Sequence, residues 1–280
     1  MKLAFSTLGC PSWDFPRVIR QAGKMGYQGV EIRGIQDIMR ADRLSEFEPR
    51  NAARTRELLD RCGVSVVGLG TSAAFSRRED FESSLEEGKK AIDVCRRMGI
   101  PFIRVFGDTL ETTVRQEESL CLVGEGLSAL CDYAGIGKTM VLLEVHGDFN
   151  RCETVGPVLR QMKGTENFGI LWDIEHSDRA YHDNWYVFYQ LIRPYLRHVH
   201  IKDYHRKDGR PCLVGEGDIP VSDIVLQLKK DSYQGYFSFE WEKRWMPELE
   251  EPETVFPAYR AWMEKLDRDG FIPEGMDSPG

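Results

Sequence analysis

Met140-Val141-Leu142-Leu143-Glu144-Val145 is a short apolar run that stops on a carboxylate. So brief a run, with no polar residue on either face until its end, suits a strand covered by helices on both sides, as in a parallel sheet. Working outward, comparable β-rich runs lie at 3–7, 29–33, 65–70, 102–106, 169–173, 198–202 and 236–241, making eight with 140–145. Amphipathic stretches near 15–25, 50–62, 82–98, 119–134, 154–163, 184–195, 221–231 and 254–267 separate and follow them. Parallel strands need such crossovers to reach their neighbours. Gly26, Gly63, Gly99 and Gly235 stand just past helical stretches, where a left-handed C-cap costs glycine little.

The eightfold alternation predicts a single (β/α)₈ barrel over 1–270, with a loose, flexible tail over 271–280. An open doubly wound sheet would give the same string, but Ser6-Thr7-Leu8-Gly9-Cys10 lacks the glycine-rich phosphate fingerprint expected after its first strand. The 280 residues carry 41% hydrophobic and 29% charged side chains and no apolar stretch long enough for a bilayer, which predicts a soluble chain with no membrane partner. The amino-terminal residues do not have the pattern of a secretory signal. A net charge of −8 disfavours a phosphate-binding surface, so nucleic acid is excluded as a partner. Seven scattered cysteines without Cys-x-x-Cys spacing suggest neither disulfides nor a thiolate zinc site and point to the cytoplasm.

Acids and histidines concentrate at the ends of the last four runs, in Leu142-Leu143-Glu144-Val145-His146, Leu171-Trp172-Asp173-Ile174-Glu175-His176, His198-Val199-His200-Ile201-Lys202-Asp203 and Phe237-Ser238-Phe239-Glu240-Trp241-Glu242. In a parallel barrel these ends share one face, where the connecting loops build the active site. Side chains alternate along a strand, so one parity enters the mouth, and Glu144, Asp173, His200 and Glu240 emerge as a convergent set. Three carboxylates and one imidazole suit a single divalent ion, Mn²⁺ or Mg²⁺ first, with Co²⁺ or Zn²⁺ tolerated.

Those four segments, in that order and at comparable intervals, resemble the sugar phosphate isomerase/epimerase family of xylose isomerase-like barrels, and the resemblance spans nearly the whole chain. Ketose 3-epimerases, inosose isomerases and dehydratases, dehydroshikimate dehydratases and, more distantly, endonuclease IV belong there. The resemblance implies that Glu144, Asp173, His200 and Glu240 ligate Mn²⁺ or a similar ion, and that Glu144 and Glu240 also move the proton in an epimerase or isomerase. Chelation of a ketone and its neighbouring hydroxyl would acidify the carbon-bound proton and stabilise an enediolate. It further implies that His176 and Arg206 contact a sugar, cyclitol or glycoside substrate, and related barrels often form homo-oligomers.

Asn150 departs from the family, because ketose 3-epimerases carry a glutamate there. His146 and Lys202-Asp203 instead resemble branches that act on keto-inositols, dehydroshikimate and oxidised glycosides, where a histidine or lysine near the metal serves as base. Two activities therefore stand beside each other: a metal-dependent isomerase or epimerase of a keto-sugar or keto-cyclitol, and a lyase using His146 to eliminate water or an alcohol. His176, Arg206, Lys202 and Asn150 are the expected substrate contacts. A trinuclear nuclease is disfavoured, since no histidine precedes His146 and Asp208-Gly209-Arg210 lacks the needed histidine. A non-catalytic sugar-binding barrel is the remaining alternative. His198 is read as a packed core histidine, Glu31 and Arg33 as a salt bridge across the barrel, and Lys202 with Glu242 as a possible pair. Residues 204–210 read as a loose polar loop, residues 248–253 as the cap of the last helix, and Trp13, Trp172, Trp241 and Trp245 as candidate apolar walls, with core packing the default for Trp172.

Overall fold

The computed structural model describes residues 1–110, 112–135 and 139–269; the expected tail at 271–280 lies outside them. Eight parallel strands close into a barrel: β1 (Lys2–Ser6), β2 (Gly29–Ile32), β3 (Ser65–Ala74), β4 (Phe102–Phe106), β5 (Met140–Glu144), β6 (Phe168–Asp173), β7 (Leu196–Ile201) and β10 (Tyr236–Phe239). Closure comes from β1, which pairs with β10 on one side and β2 on the other. The crossovers are α1 (Phe15–Met25), α2 (Ala52–Cys62), α3 (Phe81–Met98), α4 (Gln116–Ala134), α5 (Cys152–Gln161), α6 (Ile174–Tyr181), α7 (Trp185–Ile192) and α8 (Val221–Lys230), and α9 (Pro252–Asp269) ends the described chain.

Outside the barrel sheet, β8 (Asp203–His205) and β9 (Arg210–Cys212) pair antiparallel after β7. The segment expected to be a loose loop is thus the tip of a hydrogen-bonded hairpin. Asp203 braces its base by accepting from the backbone N–H groups of Tyr204, Gly215, Gly217 and Ile219.

Two separate apolar clusters follow from strand alternation. A small one inside the barrel joins Phe102, Leu142 and Leu171 with Met140 packed against them, and a large one fills the space between sheet and helices. Trp172 and Trp241 have the outward parity and lie in the large cluster with Trp13, so none of the three forms a wall of the mouth; Trp245 is exposed. Trp172 stacks on Tyr189 and donates to Ser177 Oγ, and Trp241 stacks on Phe239. From α9, Phe256 stacks on Phe5 at 4.1 Å and Tyr259 on Phe239 at 4.6 Å, which seals the β1–β10 seam. Each ring so buried contributes about 1.5–3 kcal/mol.

Gly26, Gly63 and Gly99 are left-handed caps of α1, α2 and α3, at φ of 78°, 63° and 75°. Gly235 is not: Ser232 takes the positive φ of 59° after α8, and a Cβ on Gly235 would meet Tyr233 Oη at 2.2 Å.

Candidate metal centre

β5 delivers Glu144 as its last residue and β6 delivers Asp173 as its last, while β7 carries His200 one residue before its end and Glu240 follows β10 directly. Asp173 and His200 are register partners, and Glu144 pairs with Leu171, two residues before Asp173. The four side chains are buried, with one potential ligand atom from each within 4.8 Å of all the others. His200 Nδ1 lies 3.3 Å from Glu144 Oε1, 3.4 Å from Glu240 Oε2 and 3.9 Å from Asp173 Oδ2. Ligand oxygens on a six-coordinate ion with ~2.1 Å bonds stand roughly 3.0 Å apart when adjacent and ~4.2 Å when opposed. The observed spacings fall within that range.

Three of these groups lack hydrogen-bond partners although buried: Glu144 Oε2, Asp173 Oδ2 and His200 Nδ1. Glu144 Oε2 and Asp173 Oδ2 each lie 2.8 Å from a cationic side chain, Arg104 and Lys202 respectively, so it is the grouping of three buried carboxylates around the unbonded His200 Nδ1 that fits a cation. Asp173 illustrates the division of labour. Its Oδ1 caps α6 by accepting from the N–H groups of Glu175 and His176, which leaves Oδ2 turned to the cluster.

A second group stands behind the first. Glu31 on β2 is fully buried, and its Oε2 reaches across the barrel to His198 Nε2 at 3.0 Å and His200 Nε2 at 2.8 Å, with Ser238 Oγ at 3.3 Å. Glu31 therefore bridges the barrel, but to two histidines and not to Arg33. Held at Nε2, His200 presents Nδ1 to the three carboxylates. His198 packs its ring on Phe102 at 4.8 Å and stays in the interior layer below.

Lys202 shares the parity of His200 and enters the cluster. Its Nζ lies 2.6 Å from Glu240 Oε2, 2.8 Å from Asp173 Oδ2 and 3.5 Å from Glu242 Oε1. Pairing with Glu242 is thus its longest contact of the three. Arg104, within the otherwise apolar β4, lies with Nε 2.8 Å from Glu144 Oε2, without hydrogen-bond alignment, and bonds the Thr71 carbonyl through Nη1.

These charges set the titration of the cluster. Burial alone would raise the carboxyl of Asp173, but Lys202 and His176 outweigh it and hold Asp173 well below the usual carboxylate range. Glu240 is depressed likewise against its burial by His200 and Lys202, and Glu144 by Arg104 and His200. Burial opposes the charged imidazole of His200, yet Glu240 and Glu31 raise its pKa well above the ordinary value of 6.5.

The other expected contacts lie around this centre. His146 rests on His176, ring centroids 4.1 Å apart, and on Phe106; its Nδ1 has no hydrogen bond and stands 3.8 Å from Asp108 Oδ1. Asn150 donates to the His176 carbonyl at 2.9 Å. Arg206 is bound to both oxygens of the buried Asp178 and to Asp183, and Asp178 also accepts from Tyr204 Oη. Arg104 is not among the residues expected from the sequence, because it lies within a strand and not at its end; the charge inside Phe102-Ile103-Arg104-Val105-Phe106 is its signal.

The chain matches the family model for the xylose isomerase-like TIM barrel over residues 19–266. Among solved structures it resembles the probable 3-DHS dehydratase AsbF of Bacillus anthracis, with a TM-score of 0.77 at 17% identity over 94% of this chain and 99% of that one. The 3-keto-D-glucoside 4-epimerase YcjR of E. coli gives a TM-score of 0.76 at 20% identity, covering 95% and 99% of the two chains. A xylose isomerase-like barrel of Mycobacterium smegmatis in complex with magnesium gives 0.71 at 15% identity, covering 95% and 96%. No curated protein sequence matches the chain. No helix among the described residues is long and apolar enough to cross a membrane. The chain belongs to the xylose isomerase-like TIM barrel family.

Proposed function

We propose that the protein is a divalent-metal-dependent isomerase or epimerase of a keto-sugar or keto-cyclitol. Glu144, Asp173, His200 and Glu240 would hold the ion, with Mn²⁺ the first choice for an oxygen-rich set containing one imidazole. When bound, it would supply charge to stabilise the oxyanion that develops as a carbon acid loses its proton. The arrangement of Glu144 and Glu240 carries the reading. They flank His200 Nδ1 at 3.3 and 3.4 Å and come from strands separated in the barrel by β6 and β7. Carboxylates on two sides of one site can remove a proton from one face of a carbon and return it to the other.

His176 would contact the substrate directly, since no hydrogen bond holds its ring among the described residues. Asn150 and Arg206 would act by fixing the segment around His176, one through its carbonyl and the other through Asp178. Lys202 would balance the carboxylates and reach a substrate oxygen once an ion relieves that duty. The seven unpaired cysteines support a reducing cytoplasmic setting.

A lyase is the second reading, favoured by the unpaired Nδ1 of His146 at the mouth beside His176. In that case His146 would remove the proton and water or an alcohol would leave. Metal analysis followed by a screen of ketoses, inososes and 3-keto-glycosides in D₂O separates the two. Deuterium uptake with no leaving group supports the isomerase, and release of water or an aglycone supports the lyase. Absence of bound metal, with no change in stability on adding Mn²⁺, would sink both.

A further inference from the structure

Arg33 follows β2 and shares the inward parity of Glu31, yet among the described residues no carboxylate lies within 4.0 Å of it. The expected salt bridge to Glu31 does not form. Arg33 is 8% exposed, its Nη2 donates to Ser72 Oγ at 3.1 Å, and its Nη1 is buried with no partner. Burial and the nearby Arg104 lower its pKa to about 10, while Glu144, Glu87 and Glu240 act in the opposite sense, so the guanidinium lies within the field of the metal cluster on one side and of Glu87, which accepts from the Ser72 N–H at 2.7 Å, on the other.

The fold makes room for this group. Gly70 on β3 is a site where a Cβ would come within 2.5 Å of Arg33 Cδ and 2.9 Å of Arg104 Nη2. Each other inward-facing cation at this end has its anion: Arg104 has Glu144, and Lys202 has Asp173 and Glu240. A buried arginine that keeps its charge, has an unpartnered Nη1 and no carboxylate in contact, and ends beside the exposed Ser72 hydroxyl at the rim is an incomplete ion pair; Glu87, its Oε1 taken by the Ser72 N–H, acts on it only from beyond 4.0 Å.

We propose that Arg33, assisted by Ser72, is the seat of an oxyanion on the substrate, so that the keto compound handled at the metal centre carries a carboxylate or a phosphate away from its carbonyl. The inference rests on the keto-sugar reading and narrows it to acidic substrates. Arginine suits the task because its planar fork meets two oxygens of such a group at once.

The test is calorimetric titration of the Mn²⁺-loaded protein with three matched sets: D-fructose and D-tagatose, their 6-phosphates, and the hexuronates D-fructuronate and D-tagaturonate. The anionic member of a set binds roughly 10- to 100-fold more tightly than its neutral parent, as expected for a charge-assisted hydrogen-bonded pair. Arg33→Gln removes that margin and leaves the neutral ligands unchanged. Arg33→Lys keeps part of it, and metal stoichiometry and thermal midpoint verify that each variant is folded. Preference for the hexuronates or for the phosphates identifies the anion. Equal binding of neutral and anionic members, or an equal loss for all ligands in Arg33→Gln, overturns the inference while the keto-sugar reading stands. If Mn²⁺ binds but no ligand of any set does, this inference falls, and the reading beneath it is decided separately by the D₂O exchange screen.

Discussion

Replacing Lys202 by methionine should strengthen metal binding while weakening the metal-free protein. The Lys202 ammonium is buried 2.6 and 2.8 Å from Glu240 and Asp173. At an effective dielectric of about 20, each contact is worth roughly 6 kcal/mol of attraction, or ~12 kcal/mol together. Desolvation of the ammonium offsets much of this, and removing one partner of a buried pair typically costs about 3–5 kcal/mol. An ion taken up by the same oxygens changes the balance. A charge of +2 at about 4 Å repels the ammonium by roughly 8 kcal/mol at the same dielectric, which leaves ~4 kcal/mol, close to the desolvation cost alone. The Met variant should therefore lose about 3–5 kcal/mol without metal and about 1 kcal/mol or less with it.

By the thermodynamic cycle, the difference appears as tighter binding of Mn²⁺, by about 100-fold within a factor of ten. Urea unfolding with chelator and with saturating Mn²⁺ measures the two stabilities, and competition with a fluorescent chelator measures the affinity independently. Equal destabilisation of both forms would show that Lys202 packs the mouth and does not stand in for the cation. A weaker affinity for Mn²⁺ would reverse the electrostatic argument altogether.

Glu31→Gln should lower Mn²⁺ affinity by roughly 10- to 100-fold, since the carboxylate that holds His200 Nε2 is lost while all four ligands remain; unchanged affinity by chelator competition would remove Glu31 from the site. Metal uptake should release a proton. His200 has a folded pKa raised above 6.5, so its charge stabilises the metal-free fold below pH 6.5 and that contribution is lost as pH rises through the folded value. Between those limits Mn²⁺ must displace the proton, and apparent affinity should rise about tenfold per pH unit; calorimetry in two buffers of different ionisation enthalpy would contradict this by finding no proton released. For the proposed chemistry, Glu240→Gln should slow deuterium exchange by roughly 10²–10⁴-fold, and His146→Asn by less than about tenfold. The opposite ranking in the same exchange assay would assign the base to His146 and favour elimination.

The strands were legible because each is a short apolar run ending in a polar side chain, and the alternation that selected Glu144, Asp173, His200 and Glu240 matches the four residues gathered at the mouth. The same alternation places Trp172 and Trp241 outside the barrel, which bears out core packing for Trp172, whereas Trp241 as a candidate wall neglected its parity. α6 was not visible. Its eight residues, Ile174–Tyr181, are mostly polar, and its N-cap is Asp173 itself, so the signal for a helix was hidden inside the signal for a ligand. The β8–β9 hairpin was hidden for a related reason: Asp203-Tyr204-His205 and Arg210-Pro211-Cys212 have no apolar run, and the hairpin is braced from within by Asp203. Glu31 and Arg33 were found but joined wrongly. Sequence can show two opposite charges on one strand, but not that His198 and His200 lie opposite them across the barrel.

The partners of Glu144, Asp173 and Glu240 explain how such a site can assemble before any ion arrives. Three buried carboxylates so close would repel one another, and a chain without cations among them would open the mouth or protonate. Here Arg104 meets Glu144, Lys202 meets Asp173 and Glu240, and a charged His200 stands among all three. Of these cations, only the His200 proton can be discarded outright. Arg104 approaches Glu144 Oε2, leaving Oε1 toward His200, while Lys202 sits on the Glu240 and Asp173 oxygens that a metal would also use. Loading of an ion on this site would thus release the His200 proton and loosen the Lys202 ammonium. On the proposed reading Lys202 would therefore tune how tightly an ion is held by the four side chains, and would be free to meet a substrate oxygen only after loading.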